Sequence, residues 1–269
     1  MSSRRWRPPP LIVASLALHV AALALLVVEP GWWPGAVAIV VAAHVVVTTA
    51  GIWPRSHGLG LNWTRLPESA RGQIALTIDD GPDPEVTPRV LALLERHGVK
   101  ATFFCIGERA RAHAALCRDM AARGHGIGNH TERHSHAFAF SGLRGYRREI
   151  EAAQRTLWET CGKTPRFFRA PAGIRSPLLD PVLHALGLQL VSWSRRGFDT
   201  RHGDAEAVSR RLRAGLLPRG ILLLHDGNAA RTKDGVPVIL AVLPGLIEEA
   251  RARGLTWVTL DDALPASRP

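Results

Sequence analysis

The sequence predicts an α/β domain of the (β/α)-barrel type behind an N-terminal pair of membrane-spanning helices. Two apolar runs, 11–28 and 35–53, open the chain, and each is near the roughly 20 residues that a bilayer-spanning helix needs. Beyond them, short apolar strands alternate with amphipathic helices, a pattern typical of βα units around a parallel sheet. We therefore divide the chain into an anchor (1–55), a linker (56–71) and one domain (72–269).

The two apolar runs are predicted to form a hairpin. A short turn with Trp32 and Trp33 joins them, and tryptophan suits the membrane–water interface. A cleaved signal peptide is the alternative for the first run. No obvious small-residue cleavage site follows that run, and a second apolar run does, so we favour two spans.

The charges that flank the hairpin predict its orientation. Arg4, Arg5 and Arg7 precede the first span and Arg55 follows the second, whereas the connecting turn has no Lys or Arg. The positive-inside rule then places both ends in the cytoplasm of a bacterial-type inner membrane. A periplasmic or external domain remains the alternative.

Charge and cysteine content narrow the classes of function. The chain has 34 Lys+Arg against 23 Asp+Glu, a formal net charge of +11. These cations form no compact cluster with interleaved aromatics, which argues against nucleic acid and favours a membrane surface or an anionic substrate. Cys105, Cys117 and Cys161 lack CxxC spacing, which argues against a disulfide framework or a cysteine zinc site. We expect Cys105 and Cys117 to be small buried side chains.

Periodicity predicts the elements of the domain in order. The predicted strands are 74–78, 101–106, 125–129, 188–193, 221–224 and 256–260, with a further apolar strand end at Phe167 and Phe168. The predicted helices are 88–97, 110–123, 146–160, 205–214 and 238–253. About seven such units would close a barrel, and barrel active sites lie at the carboxyl ends of the strands.

The first strand ends in two adjacent carboxylates, Asp79 and Asp80, followed by Gly81-Pro82. Adjacent strand residues point to opposite faces, but a chain break directly after them can turn both towards one mouth. Alone, such a turn is more commonly solvated surface.

Two histidines four residues apart, His130 and His134, follow the third strand. They would share one face of a helical turn, and neutral imidazoles are good ligands for zinc and related divalent metals. A nearby Asp would complete a three-ligand site that leaves a position open for water. The flanking His125 and His136 are expected to be supporting or surface residues.

Three further strand ends carry reactive side chains: Arg169 in the run 167–173, Asp199 in 193–199 and His225 in 221–227. Together with the carboxylates and histidines they describe one barrel mouth. In order and content, the five segments resemble the five motifs of the polysaccharide deacetylase family (the NodB homology domain, carbohydrate esterase family four). The resemblance covers about 73–260, and its most specific parts are the runs Thr-Ile-Asp-Asp-Gly-Pro and His-Thr-Glu-Arg-His.

The resemblance implies a distorted (β/α) barrel and metal-dependent removal of N-linked acetyl groups from an N-acetylated sugar. That sugar would belong to a polysaccharide, an oligosaccharide or a lipid-linked glycan. Asp80, His130 and His134 would hold one divalent ion, zinc in the first instance, with cobalt, nickel, manganese or iron as alternatives. The implied partners are an N-acetylated glycan or glycolipid and membrane lipid, with no nucleic acid.

The resemblance also implies catalytic roles. Asp79 would be the general base, and Arg169 would keep it ionised. His225 would be the general acid, oriented by Asp199, and Leu223 would line the pocket for the acetyl methyl group. The setting of Asp199, Arg-Arg-Gly-Phe-Asp, departs from the acidic, tryptophan-containing one common in the family.

Ala172 is a second departure, because the family commonly has an aromatic residue there. Its backbone N–H would still stabilise an oxyanion, but the wall that a ring provides is lost. An amidase or deformylase acting on another amide therefore remains an alternative function. So does a catalytically idle glycan-binding membrane module.

Four arginines follow strand ends and are expected near the mouth: Arg175, Arg195, Arg196 and Arg201. With the hairpin they suggest an N-acetylhexosamine carried on an anionic lipid such as a polyprenyl diphosphate. Arg195 and Arg196 are the candidate substrate-binding residues. Ordinary surface salt bridges are the alternative.

Overall fold

The computed structural model describes residues 5–264, so Arg4 and the last five residues of the predicted domain lie outside the described residues. Two apolar helices, α1 (Pro10–Val28) and α2 (Trp33–Ile52), pack against each other across a 3₁₀ turn at Pro30–Trp32. Their bounds agree with the two predicted runs. Both helices are long and apolar enough to cross a membrane, and 6% and 17% of their most apolar windows are buried.

The domain that follows alternates strands with helices. The strands are β1 (Gln73–Asp79), β2 (Thr102–Cys105), β3 (Gly126–Asn129), β4 (Phe167–Phe168), β5 (Gln189–Leu190), β6 (Arg195–Arg196), β7 (Ile221–His225) and β8 (Thr256–Val258). The helices are α3 (Val86–Arg96), α4 (Gly107–Ala112), α5 (Ala114–Ala122), α6 (Leu143–Cys161), α7 (Leu179–Leu186), α8 (Ala205–Arg213) and α9 (Val238–Ala252). Short 3₁₀ turns lie at Phe138–Phe140 and Pro171–Gly173.

The strands form one parallel sheet in the order β5-β4-β3-β2-β1-β7-β6, with β8 paired to the start of β1. The sheet curves into a half-barrel, which confirms the predicted fold class. Along β1, Leu76 and Ile78 pack against the surrounding helices, whereas Thr77 and Asp79 lie on the inner face. Apolar side chains such as Phe104 and Phe167 fill the half-barrel. The carboxyl ends of all strands therefore meet at one mouth above this inner core.

Two predicted elements differ from the structure, and one helix was not predicted. The expected helix 110–123 is two helices, α4 and α5, separated at His113 with φ −122° and ψ 47°. The expected strand 188–193 is paired in the sheet only at β5, and β6 forms a separate strand after it. Helix α7 was not predicted, because it has only eight residues and Pro181 stands near its start, where proline is tolerated but weakens a helical pattern.

The chain that leaves α2 is fastened to the domain. The Arg175 N–H donates to the Gly51 carbonyl over 3.1 Å, and Arg175 Nη2 donates to the Ser56 carbonyl over 2.5 Å. Ser192 Oγ donates to the Pro54 carbonyl over 2.6 Å. Arg175, expected at the mouth, is therefore a buried residue that joins the hairpin to the domain.

Candidate active site

Asp79 and Asp80 both reach the mouth because the backbone turns at Asp80 itself. Asp80 has φ 73°, a left-handed conformation that breaks the alternation of the strand. Gly81 then passes directly over the Asp226 carboxylate, where a Cβ would clash. The predicted convergence of the two carboxylates thus arises one residue earlier than the Gly81-Pro82 break.

The two motif histidines converge on Asp80. His130 Nε2 and His134 Nε2 each lie 3.3 Å from Asp80 Oδ1. The segment between the histidines is a loop rather than a helical turn, with positive φ at Thr131 (67°) and His134 (52°). These three are the residues that the described part of the chain offers as a metal-binding group, with ligand atoms within 4.8 Å of one another.

The chemistry of this group fits a cation. His130 Nδ1 donates to the Arg169 carbonyl over 2.8 Å, which fixes the ring with Nε2 directed towards Asp80. Burial lowers the pKa of His134 to about 4, so its ring is neutral. Burial raises the pKa of Asp80, but His130 and the other nearby histidines outweigh it, and the pKa lies well below its usual value. Two imidazole nitrogens and a carboxylate therefore converge on one point, an arrangement that suits a divalent ion.

Arg169 holds Asp79 in place. Its side chain is 1% exposed, and Nη1 donates to Asp79 Oδ1 over 2.6 Å. Nη1 also donates to Thr77 Oγ1, and Nη2 donates to the Ser192 carbonyl. The guanidinium lies over the Phe104 ring, 4.1 Å from its centroid. The second oxygen of Asp79, Oδ2, stays free of these bonds and lies 3.9 Å from His130 Nε2.

His225 lies across the mouth with Asp199 behind it. Asp199 accepts hydrogen bonds from His225 Nδ1 over 3.0 Å and from the His225 backbone N–H over 2.7 Å. Burial lowers the pKa of His225, but the Asp199 carboxylate, with Asp79 and Asp80, outweighs it and raises the pKa to about 9. His225 is therefore a cation at neutral pH, with Nε2 as its free proton donor.

Two of the expected substrate residues lie beside these groups. Leu223 is buried on the inner face, opposite Thr77 and two residues below His225. Ala172 has φ 54°, and no acceptor in the described residues takes up its N–H. The Pro171–Gly173 turn, which contains Ala172, lies close to the chain that follows α2. A Cβ added to Gly173 would lie 2.7 Å from the Pro54 side chain.

Arg195 and Arg196 point to opposite sides of the sheet. Arg196 pairs with Leu223 and shares the inner face, whereas Arg195 pairs with Leu222, which faces the helices. The stem of Arg195 packs against Gly215. Only Arg196 of this pair therefore lies on the side of the catalytic groups.

Neither of the two extra histidines belongs to the metal-binding group. His125 is buried near the amino end of β3, where its Nδ1 accepts the Ala101 N–H and burial lowers its pKa to about 4. His136 is exposed, 6.4 Å from the His134 ring. Cys105 and Cys117 are buried free thiols.

Sequence reasoning missed three residues that position the site. Asn228 Nδ2 donates to Asp80 Oδ2 over 3.1 Å, which turns Oδ1 towards the histidines. Arg109 Nη1 donates to the Asp80 carbonyl over 2.8 Å and Nη2 to Asn228 Oδ1. Asp226 is fully buried under the Gly81 turn, and burial raises its pKa to about 7 although it accepts a hydrogen bond from Thr87. Asn228 and Asp226 closely follow the end of β7, and this position was the sequence signal that could have identified them. Arg109 lies on α4, and no sequence signal pointed to it.

Known proteins share this chain's sequence and fold. The family model described as polysaccharide deacetylase matches residues 67–191. A chitooligosaccharide deacetylase of Azorhizobium caulinodans is 36% identical over 191 residues, 68% of this chain and 90% of that protein. A peptidoglycan-N-acetylglucosamine deacetylase of Bacillus cereus is 30% identical over 201 residues, 74% of this chain and 70% of that protein.

Solved structures agree. A crystal structure of a peptidoglycan N-acetylglucosamine deacetylase gives a TM-score of 0.69 at 28% identity, covering 76% of this chain and 92% of that one. A family 4 acetyl xylan esterase from Clostridium thermocellum, in complex with a cobalt ion, gives 0.61 at 32% identity, covering 71% and 89%. The half-barrel, the matched motifs and these relatives together place the chain in the polysaccharide deacetylase family.

Proposed function

We propose that this protein is a metal-dependent carbohydrate N-deacetylase, which hydrolyses the acetamide of an N-acetylated sugar to acetate and a free amine. The observation that carries the proposal is the meeting of two proton-transfer groups at one mouth. Asp79 Oδ2 lies beside the Asp80–His130–His134 group. His225 faces that group, and its Nδ1–H donates to Asp199. Named relatives that deacetylate chitooligosaccharide and peptidoglycan support the same reaction.

The residues divide the reaction between them. Asp80, His130 and His134 would hold a divalent ion, which would supply Lewis-acid chemistry and lower the pKa of water there. Asp79 Oδ2 takes the proton of the attacking water, and Arg169 holds the other oxygen of that carboxylate in place. His225 Nε2 gives a proton to the sugar nitrogen as the C–N bond breaks. The Ala172 N–H offers a hydrogen bond to the carbonyl oxygen as charge develops there.

Zinc is the metal we propose. Two imidazoles and one carboxylate form a three-ligand set that leaves room for substrate and water, which is the arrangement of catalytic zinc sites. Cobalt, nickel, manganese and iron suit the same ligands. Metal content of the protein as purified, followed by reloading with each ion, identifies the one that is bound.

We also propose that α1 and α2 anchor the protein in a membrane. Many of their large apolar side chains are exposed in the isolated chain, among them Leu16, Val20 and Leu23 of α1. A core helix of a soluble protein buries such residues. The protein should stay with membranes after alkaline carbonate washing, and its release would contradict the anchor.

Acetate release tests the proposed activity. The full chain in detergent should release acetate from N-acetylglucosamine oligomers, and a chelator should abolish the release. Asp79→Asn should lower the rate by about 100-fold or more, because general-base catalysis typically contributes that much. The Asp79→Asn variant should keep the bound metal, because Asp79 is not among the three ligands.

The controls separate the rival functions. Stoichiometric metal without acetate release from any N-acetylated sugar would contradict the deacetylase and favour a glycan-binding module. Faster turnover of N-formyl than of N-acetyl sugars would favour a deformylase instead.

A further inference from the structure

A cavity of about 470 Å³ lies between the end of α2 and the segment from β6 to α8. We call it the arginine pocket, because four arginines line it together with two aromatic rings: Arg55, Arg195, Arg196, Arg211, Trp193 and Phe198. The catalytic residues Asp79 and His225 do not line it. The pocket is therefore separate from, though adjacent to, the catalytic centre.

Arg196 is positioned in this pocket without an anion. Its guanidinium lies 4.4 Å from the Phe198 ring centroid and 5.3 Å from that of Trp193. Its Nε is buried without a hydrogen-bond partner, and no carboxylate of the described residues pairs with its side chain. A buried donor without an acceptor is unfavourable, and the rings fix the plane of the guanidinium. Arg196 is thus prepared for an acceptor that the chain itself does not supply.

The other cations of the pocket also lack an ion pair among the described residues. Arg55 donates to the Ser194 carbonyl over 3.3 Å, and within residues 5–264 neither Arg195 nor Arg211 forms an ion pair. Carboxylates are nevertheless within reach of the same helix. Arg210 pairs with Glu206, and Arg213 pairs with Glu249. Acidic side chains therefore neutralise the outer cations of α8 but not the pocket.

The arginines around the pocket, of which Arg196 and Arg211 both lie against the Phe198 ring, suit a ligand with several negative charges. Arginine forks match the oxygen geometry of phosphate and carboxylate, and phosphate esters carry the higher charge. Aromatic rings beside the cations add a surface for an apolar or sugar group. A phosphate or diphosphate is the ligand chemistry that best fits this lining.

The pocket is joined to the catalytic centre by short connections. Arg196 lies opposite Leu223, two residues before His225, and Asp199 follows it by three residues. The Trp193 ring stands between the two centres, 5.8 Å from the Arg169 guanidinium and 5.3 Å from that of Arg196. A group held in the pocket can therefore belong to the molecule whose acetamide lies between Asp79 and His225.

The pocket also adjoins the proposed membrane anchor. Trp53 and Pro54, which follow α2, are part of its lining. A phosphate bound here lies where a lipid headgroup would lie if α2 spans a bilayer.

We propose that the arginine pocket binds the phosphate or diphosphate that joins an N-acetylated sugar to a membrane lipid. The assignment rests on the proposed deacetylase function and names its substrate class. The sugar acetamide enters the catalytic mouth, the phosphate lies against Arg196 and Arg211, and the lipid chain passes along the end of α2.

Binding to an inactive protein tests the pocket independently of turnover. Full-length Asp79→Asn in detergent is titrated calorimetrically with polyprenyl-diphosphate N-acetylglucosamine, with N-acetylglucosamine 1-phosphate and with a neutral chitooligosaccharide. Adding Arg196→Gln or Arg211→Ser should weaken binding of both phosphate-bearing ligands about tenfold or more, the value of one charge-assisted hydrogen bond. Arg210→Ser, which removes the same charge from the outer side of α8, should not weaken it.

Turnover by the otherwise native chain supplies the second measurement. Arg196→Gln should lower kcat/KM for the lipid-linked sugar at least tenfold more than for the chitooligosaccharide. Equal losses on the two substrates, or an Arg210→Ser effect equal to that of Arg211→Ser, would overturn the pocket. Because Arg211 is exposed, its variant tests the pocket even if Arg196→Gln fails to fold.

The ligand series distinguishes the sources of the phosphate. Tighter binding of the lipid-linked sugar than of the soluble sugar phosphate supports the membrane substrate, and equal binding overturns the lipid carrier. If no substrate releases acetate but the arginine variants still weaken phosphate binding, the deacetylase proposal fails while the pocket stands.

Discussion

Arg169 connects several parts of the site. It joins Asp79 to the carbonyl groups that follow β5, and its own carbonyl fixes the tautomer of His130. One residue thus sets the position of the proposed base and the orientation of a proposed metal ligand. A buried ion pair of this kind is costly to break from one side, because the remaining charge loses its partner.

Arg169→Met is therefore expected to destabilise the protein by about 3–5 kcal/mol. The double variant Arg169→Met/Asp79→Asn should recover part of that loss, because no unpaired carboxylate is left buried. Chemical denaturation of the single and double variants in detergent measures both values. Strictly additive effects would show that the pair does not interact.

The pH dependence of the reaction should report His225. Its pKa is raised to about 9, so the proton-donating form persists through neutral pH and is lost as pH rises past that value. The rate should therefore fall on the basic side near pH 9. In Asp199→Asn the opposing effect of burial prevails, so the fall should move to lower pH and the rate at neutral pH should drop by about 100-fold.

Asp204→Asn is the matched control, because Asp204 is an exposed carboxylate whose side chain caps α8 by accepting from the Glu206 and Ala207 N–H groups. It should leave the pH profile unchanged. An Asp199→Asn profile identical to that of the native protein would contradict the proposed role of Asp199.

The residue types of the site could be predicted from sequence better than its geometry. Strand-end position and motif order pointed to Asp79, Asp80, His130, His134 and His225, all of which the structure brings to one mouth. The left-handed turns at Asp80 and His134 could not be predicted, because non-glycine residues seldom adopt them without tertiary contacts. The role of Asn228 could not be predicted either, because its contact with Asp80 joins residues 148 positions apart in the chain.

At the scale of elements, the inner face of the sheet is shaped by a glycine. A Cβ on Gly128 of β3 would lie 2.5 Å from the Phe104 ring, which in turn supports the Arg169 guanidinium. The absence of a side chain on one strand therefore allows an aromatic ring on the next to stack under the catalytic arginine. Helix and strand positions were predictable from periodicity, but this close contact between strands was not.

Gly128→Val should displace the Phe104 ring and destabilise the protein by about 1–3 kcal/mol, as overpacking does. Acetate release should fall as well, because Arg169 loses the surface on which it rests. Thermal unfolding and activity are measured together. Gly245→Ala in α9, where a Cβ meets open space, is the control and should be neutral or stabilising by up to about 1 kcal/mol. Unchanged stability of Gly128→Val would contradict the packing argument.

For the whole molecule, the anchor and the mouth are parts of one arrangement. Residues 51–56 are hydrogen-bonded to the loops that follow β4 and β5, and the arginine pocket opens beside them. If α1 and α2 span a bilayer, the mouth lies close to the membrane surface. The leaflet it faces then decides which substrates it can reach.

Orientation is the prediction that belongs to this scale. The charges around the hairpin favour a cytoplasmic domain. A C-terminal fusion to green fluorescent protein should then fluoresce, and a fusion to alkaline phosphatase, which needs export, should be inactive. Replacing Arg4, Arg5 and Arg7 with Asn while placing lysines at Glu29 and Gly31 reverses the charge bias and should invert both results.

The side of the membrane on which the domain lies also determines which substrate classes it can reach. A cytoplasmic mouth would meet lipid-linked sugars of the inner leaflet, whose phosphates the proposed arginine pocket would bind. Phosphatase activity in the fusion of the unmodified chain would contradict the cytoplasmic assignment. The same four arginines would then face exported glycolipids and cell-wall glycans, and the comparison of lipid-linked with neutral substrates would decide between those two.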